Sequence, residues 1–419
     1  MADEMSMALE ELLRKAQLEG DVDFLREGVR VLSQAVMELE VTQHVGAERH
    51  ERTAERRGQR NGYRERQWDT RVGTIGVHVP RVRDGSCSPS LLEPRRRAER
   101  ALVAVVQEAY VHGVSTRRVD ELVQALGLQG ISKSQVSLLC QELDAEVERF
   151  RTRPLVAAYP YVWLDATFVK GRQQHRIVSL AVVIAIAVNA TTGLREVLGV
   201  EVGPSEDGAF WLAFLRGLVA RGLSGVQLVV SDAHEGLKTV IGAVLHRASW
   251  QRCRVHFVRN ALAVVPKAAA QLVAATIRTV FAQPDAPGAR EQWQRVADGF
   301  RSRYPKLADR MDEAEADVLA YLAFPAEHWR QIWSNNPLER LNREVKRRTD
   351  VVGISPNEAA MMRLVGAVLA EQHDEWQVGR RYFSAESLAH LLPAPAEQHE
   401  GQARQEEVAA TAPLALAAR

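Results

Sequence analysis

The chain predicts an α/β fold, a mixed sheet with helices on both faces preceded by a mainly helical region. Three observations predict it. Apolar residues recur at helical spacing over much of the first 150 positions, give way near Tyr159 to apolar runs of strand length, and return to helical spacing after about Asn260.

Taken in order, Met7 to Glu40 carries Leu9, Leu12, Leu13, Phe24, Leu25, Val29, Leu32 and Val36 at helical spacing, and Gly20–Asp21 divides it into two short helices. From Arg49 the chain turns Arg-rich, with Val72, Ile75, Val77 and Val79 predicting short strands separated by Gly73, Gly76 and Pro80. Ser115 can cap a helix running to about Leu126. Gly127 and Gly130 make a turn, and Ser132 caps a second helix with Val136, Leu139 and Leu143. The pattern suits a DNA-binding helix-turn-helix or an ordinary helical hairpin, and the basic block beside it favours the first.

The period changes near Arg151–Pro154. YVWLDATFVK reads as a strand holding Asp165, and the run from Ile177 to Gly203 as a hairpin turning at Asn189–Gly193. A helix begins at Asp207, a buried strand ends in Asp232 and leads into a helix, and WQRCRVHF reads as a further short strand. Strand, hairpin, helix, strand, helix, strand is the skeleton of an RNase H-like fold. Helices follow from about Asn260 to Trp333, broken at Pro284–Pro287, Pro305 and Phe324–Pro325. Two more cover SNNPLERLNREVKRRTD and Ala359–Leu369, and the tail from Pro393 has a disordered composition.

Composition excludes several classes. The longest apolar stretch, Ile177 to Val188, falls short of the about 20 residues a bilayer span needs. Acidic residues at positions 3, 4, 10 and 11 do not make a secretory leader. Three cysteines, Cys87, Cys140 and Cys253, make no disulfide framework, and a cytoplasmic, nucleoid-associated protein is expected. The net charge of +1 hides opposed blocks: residues 1–50 carry 5 Lys/Arg against 11 Asp/Glu, residues 51–100 carry 13 against 7. An acidic segment followed by a nucleic-acid-facing one fits that pattern. Arg64 and Arg66, interleaved with Tyr63 and Trp68, suit DNA phosphates, and Lys133 and Gln135 open the second helix of the helix-turn-helix.

Asp165 and Asp232 sit in or at the end of apolar strands, where an unpaired carboxylate costs several kcal/mol. Two such groups about 4 Å apart repel by about 4 kcal/mol at an effective dielectric near 20. A divalent cation removes that penalty. Oxygen ligands favour Mg²⁺, with Mn²⁺ as a substitute, and a pair of ions clamps both oxygens of an in-line phosphoryl displacement. Asp232 alone could instead cap the helix that follows it.

The segments RNGYRERQWDTRVGTIGVHVPRVRDG, YVWLDATFVK, VVSDAHEGL, WQRCRVHFVRN and FPAEHWRQIWSNNPLERLNREVKRR occur in this order, and over residues 7–390 the chain resembles the Mutator-type family of bacterial insertion-sequence transposases. The resemblance implies an RNase H-like core interrupted by an all-helical insertion, with catalytic and metal-binding acids at Asp165, Asp232 and Glu339. It implies recognition of terminal inverted repeats, transfer into target DNA, a circular donor intermediate, and a homodimer or larger assembly. The organisation expected is a helical segment (1–50), a basic DNA-binding region (51–150), a first core part (151–259), a helical insertion (260–333), the last core helices (334–392) and a tail (393–419).

The family's Cys-x-x-His pair falls on Cys253 and His256. Two ligands do not make a zinc site, so Cys253 is expected in the core and His256 facing the active site or DNA. Glu339 and Glu344 lie five residues apart, about 500° on a helix, so only one can reach the metals. Glu339 shares a face with Asn342, Arg343 and Lys346, which suit DNA, whereas Glu344 is placed to pair with Arg340 and Arg348. The reading is a DNA transposase. A structure-specific nuclease that stops at hydrolysis, or a regulator that only binds DNA, are the alternatives.

Overall fold

The computed structural model describes residues 21–83, 89–92, 100–126, 128 and 130–391. The helix expected ahead of Asp21, Cys87, Gly127 and the tail from Pro393 lie outside them. The chain forms two compact units, Met1–Glu142 and Leu143–Arg419.

In the first unit, helix α1 (Asp21–Val45) is longer than the short helix expected. It ends at Gly46, whose φ of 72° is the left-handed turn that glycine adopts cheaply. Strands β1 (Arg60–Thr70) and β2 (Gly73–Val82) pair as one antiparallel hairpin. Gly76 and Pro80 do not interrupt β2. Pro80 faces Tyr63 beside a shift in register between Arg60 and Tyr63, where a missing N–H is tolerated. Trp68, Ile75, Val77 and Val79 close on Met37 of α1, so Trp68 serves the core. Gln34 fastens α1 to β2: its amide nitrogen donates to the His78 carbonyl at 2.9 Å and its oxygen accepts from the His78 N–H at 3.1 Å.

Helices α2 (Arg100–Val111), α3 (Thr116–Ala125) and α4 (Lys133–Leu139) complete this unit. Both expected caps form. Ser115 Oγ accepts from the Arg118 N–H, and Ser132 and Gln135 make a reciprocal capping box. The second helix stops at Leu139 and passes through a 3₁₀ turn at Cys140–Glu142, so Leu143 opens a different helix.

That helix, α5 (Leu143–Thr152), belongs to the second unit, held by Asp144 accepting two hydrogen bonds from Arg363 at 2.6 and 2.8 Å. The unit is built on a five-stranded mixed sheet of order β5-β4-β3-β6-β7. Strand β3 (Tyr161–Gln173) is central. It runs antiparallel to β4 (Arg176–Val188) and parallel to β6 (Leu228–Ser231). Strand β5 (Arg195–Gly203) is antiparallel to β4, and β7 (Ser249–Arg252) parallel to β6.

Alternation along the strands sorts the two faces. Val162, Leu164, Val183, Ala185, Leu198 and Val229 pack under helices α6 (Gly208–Ala220) and α7 (Glu235–Val244) through Trp211, Leu215, Leu218 and Ile241. Tyr161, Trp163 and Asp165 alternate with Val162 and Leu164 and so face the other way. WQRCRVHF is only half strand: it ends at Arg252, and Arg254–Leu262 is a helix, α8, entered through Cys253.

Beyond α8 come α9 (Lys267–Arg278), α10 (Ala286–Arg301), α11 (Pro305–Val318) and α12 (Trp329–Ile332). Buried Gln251 of β7 ties them to the sheet, donating to the Val318 carbonyl at 2.8 Å and accepting from the Tyr321 N–H at 2.7 Å. The segment leaves and rejoins the core at one place, where the Arg254 N–H donates to the Trp333 carbonyl at 3.1 Å and the Arg254 guanidinium lies 3.4 Å from the centre of the Trp333 indole. Helices α13 (Asn336–Val352), α14 (Glu358–Val378) and α15 (Ala385–Ala389) follow.

Candidate active site

The interior of β3, the end of β6 and the first turn of α13 bring Asp165, Asp232 and Glu339 to one region. Three hydrogen bonds hold α13 and the residues leading into it beside β3, and a fourth ties them to Cys253. Trp163 Nε1 donates to the Ser334 carbonyl at 3.1 Å, and Asn335 Nδ2 donates to the Leu164 carbonyl, also at 3.1 Å. The Asn335 N–H donates to Cys253 Sγ at 3.3 Å, and Asn342 Nδ2 donates to Asp165 Oδ2 at 2.7 Å. Asn335 is fully buried, so these bonds form without competition from water.

His256, one turn into α8, stands between the other two acids. Its Nδ1 lies 3.9 Å from Asp232 Oδ2 and its Nε2 3.6 Å from Glu339 Oε1, too far for either to be a hydrogen bond. Nδ1 is buried without a partner. Asp232 does not cap α7. His234 does, through Nδ1 and the Leu237 N–H, while Asp232 Oδ1 accepts only from the adjacent Ala233 N–H.

Burial pushes the Asp165 carboxyl up to about 7, opposed by the hydrogen bond from the Ala166 N–H and reinforced by the charges of Asp232, Glu206 and Glu339. The group is held where its own ionisation is resisted, the signature of a site short of a counter-charge. The donor set, three carboxylates and no thiolate, fits a hard divalent cation. As placed, no three His, Cys, Asp or Glu side chains among the described residues close tightly enough to hold an ion. Cys253 is fully buried, its thiol pushed up by burial and accepting from the Asn335 N–H, while the His256 ring faces the acids.

The other expected contacts divide. Asn342 was expected to face DNA with Arg343 and Lys346. It is buried against Asp165, whereas Arg343 and Lys346 are exposed. Glu344 pairs with Arg347 at 2.6 Å and Arg348 at 2.7 Å, and the expected pairing with Arg340 does not form. In the first unit Arg64 and Lys133 are exposed. Arg66 is half-buried, its guanidinium shifted down by burial and by Arg64. Gln135 is exposed, with its side-chain oxygen engaged by the Ser132 N–H.

Sequence reasoning missed Glu206, Ser334 and Asn335. Glu206, pushed up by burial and sensing His234 and Asp232, stands next to Asp207 in a loop whose visible signal was the helix cap. Asn335 lies within the quoted SNNPLERLN run, but its partners sit on β3 and at Cys253, and no local pattern marks them.

A family model for transposases of the Mutator family matches residues 1–379. The chain belongs to the Mutator family of transposases. The transposase for insertion sequence element IS1081 of Mycobacterium tuberculosis is 52% identical over 388 residues, 92% of this chain and 93% of that one. The transposase for ISRM5 of Rhizobium meliloti is 39% identical over 366 residues, 87% and 92% of the two chains. The transposase for IS256 in transposon Tn4001 of Staphylococcus aureus is 39% identical over 351 residues, 83% and 90% of the two. Among solved structures, the Drosophila P element transposase strand transfer complex covers 74% of this Mutator-family chain and 92% of its own at a TM-score of 0.27 and 12% identity, too loose a likeness to bear on the fold. No described helix is long and apolar enough to cross a membrane.

Proposed function

We propose that this Mutator-family transposase cuts DNA at the ends of its element and joins the freed 3′-hydroxyl to target DNA, using Asp165, Asp232 and Glu339 on an RNase H-like core. The observation that carries the reading is the convergence of these acids from positions far apart in the chain, His256 standing between Asp232 and Glu339 and Asp165 sensing the charges of both. The strand order, three antiparallel strands followed by two parallel ones across a central β3, supports the RNase H-like assignment. The helices between α8 and α13 are then the insertion.

Asp165, Asp232 and Glu339 would hold the metal ions. Two Mg²⁺ ions, when bound, supply charge neutralisation for the attacking and leaving oxygens. The remaining chemistry belongs to the chain. Asn342 and the Ala166 N–H fix the Asp165 carboxylate, the Ala233 N–H holds Oδ1 of Asp232 and leaves Oδ2 toward the site, and Asn335 fixes the start of α13 and so the reach of Glu339. Positioning is the main contribution such a site makes to in-line displacement. Water and then the 3′-hydroxyl serve as nucleophiles in turn, and no protein–DNA bond is needed. Arg64, Arg66, Lys133, Gln135, Arg343 and Lys346 would contact DNA, the first four in an end-recognising first unit. Two ends must be held together, which calls for a dimer or larger assembly.

The test is to prepare Asp165→Asn, Asp232→Asn and Glu339→Gln in the full chain and assay element-end binding, cleavage and joining separately. All three variants should bind ends and neither cut nor join. Activity within tenfold of wild type in Mg²⁺ would remove that residue from the site. Cleavage without joining by the wild type would favour a nuclease instead.

A further inference from the structure

On the side of α13 turned from Glu339, a groove of about 510 Å³ opens between α13 and α14. Arg195, Arg340, Arg343, Arg347 and Arg348 line it, with Trp376 at its wall. These arginines are not equivalent. Arg347 and Arg348 are committed to Glu344, at 2.6 and 2.7 Å. Arg195 and Arg340 form no ion pair among the described residues.

Arg195 is built in. Its guanidinium lies 4.4 Å from the ring centre of Trp376 and 4.7 Å from that of Tyr382, so two aromatic rings fix where the charge points. Its backbone is also fixed, the carbonyl accepting from Gln377 Nε2 at 3.2 Å. Burial presses Arg195 below its ordinary value, with Tyr382 opposing that shift and the like charge of Arg340 adding to it. Glu371 and Glu375 also line the groove, Glu371 3.5 Å from Arg348, yet Arg195 and Arg340 pair with neither. A planar guanidinium fixed by two aromatic rings beside a second, exposed one is an arrangement that can grip a phosphate through parallel N–H donors.

We propose that this groove binds a backbone phosphate of DNA, gripped by Arg195 and Arg340. The site lies beyond the reacting phosphodiester. Arg343, exposed at the top of α13, stands three residues after Arg340 and four after Glu339, so on a helix it is the neighbour of both. A strand crossing α13 from the acids would meet Arg343 and then the groove. The contact is to phosphate alone and carries no base preference.

The experiment uses the full chain, a generic 40-base-pair duplex and EDTA, so that binding is read without cleavage and independently of the acids. Affinity is measured from about 50 to about 200 mM salt for the wild type, Arg195→Gln, Arg340→Gln and, as a matched loss of one exposed charge elsewhere, Arg290→Gln. Arg340→Gln, exposed and free of packing duties, should lower the slope of log affinity against log salt by about 0.9, the release expected for one phosphate, with a three- to tenfold loss of affinity at the higher salt. Arg195→Gln should match it, and the double variant should exceed neither single slope by a full further unit if both arginines hold one phosphate. A slope for Arg340→Gln no different from that of Arg290→Gln overturns the proposal. So does the case in which inorganic phosphate, at matched ionic strength, raises the Tm of the wild type but not of Arg340→Gln while the DNA slopes stay equal, because the groove then serves free phosphate.

Discussion

Asn342 donates its side-chain amide to Asp165 Oδ2 at 2.7 Å, joining α13 to β3 across most of the second unit's length in sequence. The bond leaves Asp165 one oxygen unclaimed by Asn342. It also sets the distance between the strand and the helix that carry two of the three acids. Asn342 is thus a positioning residue, acting through Asp165. We expect Asn342→Ala to reduce cleavage by about 10- to 100-fold, the usual cost of losing a partner that orients a metal ligand, and to raise the Mn²⁺ concentration needed for half-maximal rate. DNA affinity should stay within twofold. A variant that binds DNA poorly but cuts at the normal rate once saturated would return Asn342 to the DNA-contacting role its sequence position first suggested.

Glu339 and Glu344 should separate cleanly. Glu344→Gln loses the pairs with Arg347 and Arg348 but touches none of the acids, so transposition should stay within about threefold of wild type. Those arginines hold the Glu344 carboxyl down at about 2, Arg347 foremost. A depressed carboxylate stabilises the fold above its unfolded value of about 4.3 and loses that contribution as pH falls through its folded value. The melting temperatures of wild type and Glu344→Gln should therefore differ at pH 6 and converge as pH approaches 2. A gap that persists at low pH would mean that the ion pairs are not its source.

Cys253 should behave as a buried acceptor with no metal. Cys253→Ala removes the sulfur that the Asn335 N–H donates to and leaves that donor unpaired, at about 1–3 kcal/mol. Thermal unfolding should register the loss. A zinc chelator should leave the wild-type Tm unchanged, and a chelator-induced drop of several degrees would restore the metal reading of Cys253 and His256.

Gly366 of α14 packs against Val147 of α5, and a Cβ there would overlap Val147 Cγ1. Gly366→Ala should destabilise the chain by about 1–3 kcal/mol through overpacking, and Val147→Ala in the same chain should recover part of it. An undiminished Tm for Gly366→Ala alone would show that the two helices can part without cost.

Much of this architecture is written locally. Ser115, Ser132 and Asp207 each cap the helix that follows them, and the turn at Asn189–Gly193 joins β4 to β5 as the sequence indicates, because caps and turns depend on residues within a few positions. Strand ends were less visible. WQRCRVHF looks like one apolar run, but Cys253 enters α8 without a side-chain cap, so nothing in the local pattern announces the change. Trp68 sits among arginines in sequence yet belongs to the core, since β1 turns its alternate residues toward α1. The partners of Asn335, Asn342 and Gln251 lie far off in the chain. Such bonds exist only once the sheet and helices are assembled, and no periodicity encodes them.

The single crossing where Arg254 meets Trp333 has a further consequence. Away from the stretch that Gln251 binds, an excursion with stapled ends acts on the remainder as a closed loop, and lengthening such a loop twofold costs about 0.6 kcal/mol of closure entropy. The sequence separation between Asp232 and Glu339 is accordingly free to drift while their separation in space is not. A foreign domain could be spliced into the turn ahead of α10, away from the partners of Gln251, with the stapled ends still meeting in register.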